Sequence, residues 1–317
     1  MTPEIDKDAV DRPTEDSAPE PQETSRGVVA ALITVQLGFA TLPVAAKLVL
    51  AELSPYGFGL IRLVAAGLFF TALAAIRGKL SVPFRDVWRI ALVGLLGTAF
   101  NQLLYLNGLE RSNATHAAVL VTLIPVFAFI IAIASRKERA VPLGLLGVGI
   151  AFAGVLSLTG VEDVSIGVDT IVGDGLMVAN AFSYALYLVL SKPYVERYGA
   201  IPVVAISFVA ASIFAAPFGV SELGAVTSMS SEAFGALIYV VLVPTLLTYL
   251  LNAWALARAS ASKVAIYIYL QPLLGVLLAH WILHEVLGAR ALVSSLVVIF
   301  GIFLVNRARP AARIAKA

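Results

Sequence analysis

The sequence predicts an all-α membrane protein: ten transmembrane helices arranged as two inverted five-helix repeats. Three observations predict it. The chain of 317 residues is 60% hydrophobic and 13% charged, where a soluble domain is about 45–50% apolar and about 25% charged. Its basic residues gather on one side of the apolar runs. Its two halves repeat a common pattern of Lys, Arg, Pro, Glu and Gly.

The composition fixes the solvent. With a mean hydropathy of +0.92, no soluble core of this length hides the apolar surface, so lipid must cover it. Backbone groups in lipid have to be satisfied within the segment, which leaves helices or closed barrels. The runs approach the roughly 20 apolar residues that a spanning helix needs, without the dyad alternation of a barrel strand. The absence of cysteine removes disulfides and thiolate metal sites. The histidines show no metal-ligand spacing, so no cofactor or metal is expected. A net charge of +2 is too small to suggest a nucleic-acid partner.

In chain order, residues 1–27 are acidic and rich in Pro, Ser and Thr. Such a segment buries nothing and is expected to be a disordered cytosolic tail. The first repeat, 28–159, holds spans at 28–50, 56–76, 88–108, 114–134 and 142–159. The second, 174–307, holds spans at 174–193, 201–219, 234–256, 261–283 and 290–307. Residues 308–317 form a basic cytosolic tail. Pro55, Pro142 and Pro202 sit at helix starts, where a missing N–H costs little. Asn113 and Ser260 are placed to N-cap the fourth and ninth helices.

Orientation follows from the basic residues. With the N-terminus inside, only Lys47, Arg62, Arg111 and Arg290 of the 22 Lys and Arg residues fall on the outer side. Both termini are then cytosolic, which requires an even number of spans, and the expected location is the plasma (inner) membrane.

The repeat is visible in GLERSNATHAAVLVTLIPVF, from Gly108, and ALARASASKVAIYIYLQPLL, from Ala255. One constant offset pairs Arg111 with Arg258, Pro125 with Pro272, Glu138 with Glu285 and Gly154 with Gly301. A slightly shorter offset upstream pairs Lys47 with Lys192, Ala65 with Ala210 and Phe69 with Phe214. Each half has an odd number of spans, so the second must run inverted. Inverted repeats are common in secondary transporters, with the substrate near the midplane between the halves.

Residues 255–306 resemble the EamA-type branch of the drug/metabolite transporter superfamily: small residues, a mid-helix Pro272, a helix-end Glu285, then Gly301. Residues 108–159 repeat this more weakly, and the resemblance covers about 28–307. It implies ten helices around a central cavity and movement of small metabolites, commonly amino acids, often outward. Where the family often has Trp-Gly midway in its first helix, this chain has Leu37-Gly38. Where it often has Glu before the ninth-helix proline, this chain has Gln271.

Mid-span polar residues concentrate on some helices. Gln36, Asn101, Gln102, Tyr105, Thr122, Asn180, Tyr184, Tyr187, Thr248, Asn252, Tyr267 and Gln271 are the candidate cavity residues, placing the first, third, fourth, sixth, eighth and ninth helices around it. Amides and phenols without fixed charge suit zwitterions such as amino acids, and aromatic walls suit bulkier organics. Interhelical hydrogen bonding, worth about 0.6 kcal/mol on average, is the better account of any one of them, and a lined cavity the better account of the set.

Ionisable groups within spans are functional or paired. Lys47 with Glu285 outside, and Lys192 with Glu138 inside, occupy equivalent places and are candidate gate latches. Arg62 is expected either to brace the bundle or to meet a substrate carboxylate. Pro125 and Pro272 each remove a backbone hydrogen bond and are candidate kinks. No Asp or Glu lies at mid-span, which argues against a carboxylate proton relay and favours facilitated diffusion or exchange.

The expected function is non-ATP transport of small metabolites, most simply amino acids, with drug-like or sugar-nucleotide compounds the alternative cargo. The expected partners are that substrate and the lipid bilayer; oligomeric state stays open. An enzyme would need a nucleophile–base set or metal ligands in one place, and none is legible. A receptor leaves the repeats unexplained, and a channel would need a selectivity filter that nothing here resembles.

Overall fold

The computed structural model describes residues 26–78, 81–112, 117, 119–159, 168–283 and 289–308. Its described residues build a bundle of helical rods. These are α1 (Arg26–Leu50), α2 (Pro55–Ile76), α3 (Phe84–Arg111), α4 (Leu123–Ala134) and α5 (Pro142–Thr159). Then come α6 (Val168–Tyr198), α7 (Ala200–Gly219), a 3-10 segment (Val220–Ser228) and α8 (Ser231–Leu256). Helix α9 runs Ala261–Ile266, tightens over Tyr267–Tyr269 and continues Leu270–Leu283; α10 is Ala289–Arg307. Six of these (α1, α2, α3, α6, α7 and α8) are long and apolar enough to cross a membrane. Leu123–Ala134, Pro142–Ser157 and Leu292–Arg307 are shorter apolar helices. The N-terminal tail up to residue 25 lies outside the described residues, and α1 already includes Arg26 and Gly27.

Serines start several rods. Ser54, Ser230 and Ser260 have extended backbones, and their hydroxyls accept from Gly57, Ala233 and Lys263 N–H respectively. Each satisfies one orphan amide of the first turn. Pro55 and Pro142 open α2 and α5. Asn113 lies outside the described residues. Some rods outrun their expected spans. α3 starts at Phe84 with an amphipathic first segment, and α6 extends to Tyr198 through a polar last turn, both helical where apolar content has already fallen.

The rods pack in a pattern that pairs the halves. α5 lies along α10, and α2 along α7. α3 and α4 pack on α6, as α8 and α9 pack on α1. The α5–α10 seam is close because both helices bring glycine. A Cβ at Gly301 would fall 2.5 Å from the Ala151 amide nitrogen. Large apolar side chains such as Val44, Leu68, Ile76, Ile213 and Leu296 remain exposed around the bundle, which is the surface that lipid covers.

Two of the rods carry π turns, at Leu96–Phe100 in α3 and Val241–Leu247 in α8. The repeat alignment superposes them, pairing Thr98 with Thr245. Pro244 explains the second: it has no N–H to offer Val240 O, and Thr245 Oγ1 donates to that carbonyl instead at 2.8 Å. Tighter turns precede Pro125 and Pro272. Before Pro125, Ile124 N–H turns to Val121 O at 3.1 Å, and before Pro272 stands the 3-10 turn Tyr267–Tyr269.

Candidate substrate site

The π turn of α3 misaligns its carbonyls with the helical ladder, and side chains from α6 and α8 collect them. Ser183 Oγ donates to Leu96 O at 2.8 Å, and Asn180 Nδ2 to Asn101 O at 2.6 Å. The Tyr249 hydroxyl lies 3.2 Å from both Gly97 O and Asn101 Oδ1, with one proton to give. Asn252 Nδ2 donates to the Tyr184 hydroxyl at 2.9 Å, and the Tyr184 and Tyr187 rings sit 5.9 Å apart. Tyr187 in turn packs on Gly97, where a Cβ would fall 2.1 Å from its ring. Asn101, Asn180, Tyr184, Tyr187 and Asn252 are thus brought together between α3, α6 and α8.

Arg62 of α2 borders this cluster. It is 2% exposed. Its Nε donates to Thr245 Oγ1 at 2.9 Å, and its guanidinium lies 5.6 Å from the Phe58 ring centre. Tyr105 and Tyr249 are within electrostatic reach. Gln102 is buried beside the Tyr249 hydroxyl.

Other candidates fall elsewhere. Gln271 Nε2 donates to Gln36 Oε1 at 2.7 Å, tying α9 to α1. Asn306 Nδ2 of α10 donates to the Tyr267 hydroxyl at 3.1 Å. Thr122 and Thr248 turn their hydroxyls onto their own helices, at Val119 O and Pro244 O.

The inner latch is not formed in this structure. Lys192 Nζ donates to Leu256 O at 3.1 Å and Ala259 O at 2.7 Å, and pairs with Glu196 at 2.7 Å. Glu138 accepts from the Ser262 N–H at 3.2 Å. Helix ends outcompete the opposite charge: the C-terminal carbonyls of α8 draw the ammonium, and the N-terminal amides of α9 draw the carboxylate. Glu285 lies outside the described residues. Lys47 Nζ donates to Leu109 O and, at 3.2 Å, to Ser112 O. These are the carbonyls that the repeat aligns with Leu256 and Ala259.

Sequence reasoning missed Thr98, Ser183, Pro244, Thr245 and Asp86. Extending the Arg111–Arg258 alignment towards the N-terminus would have paired Thr98 with Thr245. Asp86 is 8% exposed and accepts from the Tyr198 hydroxyl, with Arg197 at 3.4 Å and Arg89 at 3.7 Å.

The EamA-like transporter family matches the chain twice, over residues 25–160 and 171–307. The chain belongs to the EamA-like transporter family. Among EamA-like and related proteins, an "Uncharacterized transporter" of Archaeoglobus fulgidus is 27% identical over 81% of this chain and 90% of its own. A "Probable terminal-alkyne amino-acid exporter" of Streptantibioticus cattleyicolor is 27% identical over 89% of this chain and 94% of its own. A crystal structure with 17% identity shares the fold at a TM-score of 0.70, covering 87% of this chain and 95% of that one. The EamA-like chain is thus a membrane protein of a small-molecule transporter family.

Proposed function

We propose that the protein is a secondary transporter that moves amino acids or related metabolites by alternating access, as exchange or export without ATP. Its ten rods form two inverted five-helix halves in the plasma membrane, with both termini cytosolic. The substrate contacts the polar cluster of α3, α6 and α8, together with Arg62.

The observation that carries this reading is the mirrored wiring of the halves. Lys47 holds Leu109 O and Ser112 O as Lys192 holds Leu256 O and Ala259 O. Arg111 reaches Asn107 O as Arg258 reaches Trp254 O. Two halves with the same internal contacts, facing opposite ways, are equivalent structures that can exchange roles. The name of the Streptantibioticus relative supports amino acids as cargo, and the Tyr184–Tyr187 wall suits an apolar side chain.

The test is counterflow in proteoliposomes against a panel of amino acids, drug-like compounds and sugar nucleotides. Saturable, exchangeable flux of one class is expected, reduced about tenfold or more by Tyr184→Ala or Asn252→Ala. Non-saturating conductance, or no flux of any class from a folded preparation, overturns the proposal.

A further inference from the structure

Arg62 is a cation in the wrong place for a structural residue. Burying an ionised group is costly unless it is paired and hydrogen-bonded. Arg62 is 2% exposed, yet its described partners are one hydroxyl, at 2.9 Å, and the Phe58 ring. Among the described residues no carboxylate pairs with it, and its two terminal nitrogens make no hydrogen bond.

Bracing of α2 against α8 does not account for it. The repeat supplies an internal control: Ser207 of α7 occupies the aligned position. There the neutral hydroxyls close on backbone, with Ser207 Oγ donating to Val203 O at 2.8 Å and Thr98 Oγ1 reaching Ser207 O at 3.4 Å. The same contact between second helix and π turn is thus made in the other half without a charge.

The hydrogen bonding also orients the group. The Thr245 proton is committed to Val240 O, so its lone pair takes the Arg62 Nε–H. That leaves the terminal nitrogens, whose parallel N–H bonds match a planar carboxylate. The buried Gln102 amide and the Tyr105 and Tyr249 phenols lie in the same neighbourhood.

We infer that Arg62 is a carboxylate-binding residue and that the transported metabolite must carry a free carboxylate, which neutralises this buried cation when it binds. The inference rests on the transporter reading and narrows its substrate class. It predicts recognition of the acid and rejection of the matching ester or amine, because both leave the guanidinium unpaired.

The experiment is ligand-induced thermal stabilisation of the purified full-length protein, which needs no transport. The probes are the standard amino acids and, for each one that stabilises, its methyl ester and its decarboxylated amine. At least one acid is expected to raise the melting temperature while its ester and amine do not. Arg62→Gln, freed of an unpaired charge, is expected to fold and to lose the shift; Arg62→Lys is expected to weaken binding at least tenfold by losing the fork. Should Arg62→Gln not fold, the Arg62→Lys affinity decides. The inference is overturned if no carboxylate shifts the wild type, if an ester matches its acid, or if the folded variant binds as wild type does. Counterflow separates the two readings. Flux of compounds lacking a carboxylate refutes the site and keeps the transporter. Acid-specific binding without flux keeps the site and refutes transport.

Discussion

At the residue scale, the charged groups mostly serve helix ends. Lys192 satisfies two carbonyls left over at the end of α8, and its ion pair with the half-exposed Glu196 adds little. Hydrogen bonds to a charged group contribute about 1.5–3 kcal/mol each at most. Lys192→Met is therefore expected to lower thermal stability clearly, and Glu196→Gln hardly at all, in parallel melts of the purified variants. Glu52, in the turn after α1, holds the start of α8 through the Ser230 hydroxyl and N–H at 2.6 and 2.7 Å. The hydroxyl first, and the amide second, hold its carboxyl below the ordinary value of 4.5. A depressed carboxylate stabilises the fold above its unfolded pKa, and that contribution disappears as pH falls through the folded one. The stability gap between wild type and Glu52→Gln should thus be open at neutral pH and close below about pH 4, near the unfolded carboxylate range. The sequence placed these charges well and their partners badly. Lys192 and Glu138 looked like a latch because opposite charges attract, but nothing in the residue types announces a helix-end carbonyl or amide as the competitor.

At the element scale, apolar runs located the rods, since lipid demands them and little else produces them. Polar end turns hid the true starts and stops of α3 and α6. The π turns were invisible in α3, where no proline marks the place, and only hinted at by Pro244 in α8. They matter because they free the carbonyls that Ser183, Asn180 and Tyr249 take up, so the site is partly a backbone feature. Close seams between rods are equally testable. Gly301→Ala puts a methyl group 2.5 Å from the Ala151 amide nitrogen, forcing α5 and α10 apart. A loss of about 1–3 kcal/mol is expected, read as a lowered melting temperature. Gly235→Ala meets nothing within 4 Å and should be neutral or stabilising by up to about 1 kcal/mol, since alanine favours the helix.

At the scale of the whole molecule, the duplication was legible because Lys, Arg, Pro and Glu recur in order, which apolar helices do not do by accident. Which of the mid-span polar residues meet one another was legible only in part. Asn101, Asn180, Tyr184, Tyr187 and Asn252 converge, whereas Tyr267 and Gln271 bind α10 and α1, because helix rotation decides which polar face meets which neighbour. The native chain has no cysteine, so single cysteines report topology without background. Ser228→Cys, in the exposed 3-10 segment, should react with an impermeant maleimide outside the cell, and Ser135→Cys, past the end of α4, only after permeabilisation.

The same chemistry tests alternating access. Ser183→Cys, a one-atom change at the cluster's contact with Leu96 O, would be labelled in right-side-out and in inverted vesicles, with and without substrate. Alternating access predicts slow modification from both faces, each slowed further by substrate. Reaction from one face only, or modification from both that substrate leaves unchanged, would contradict it.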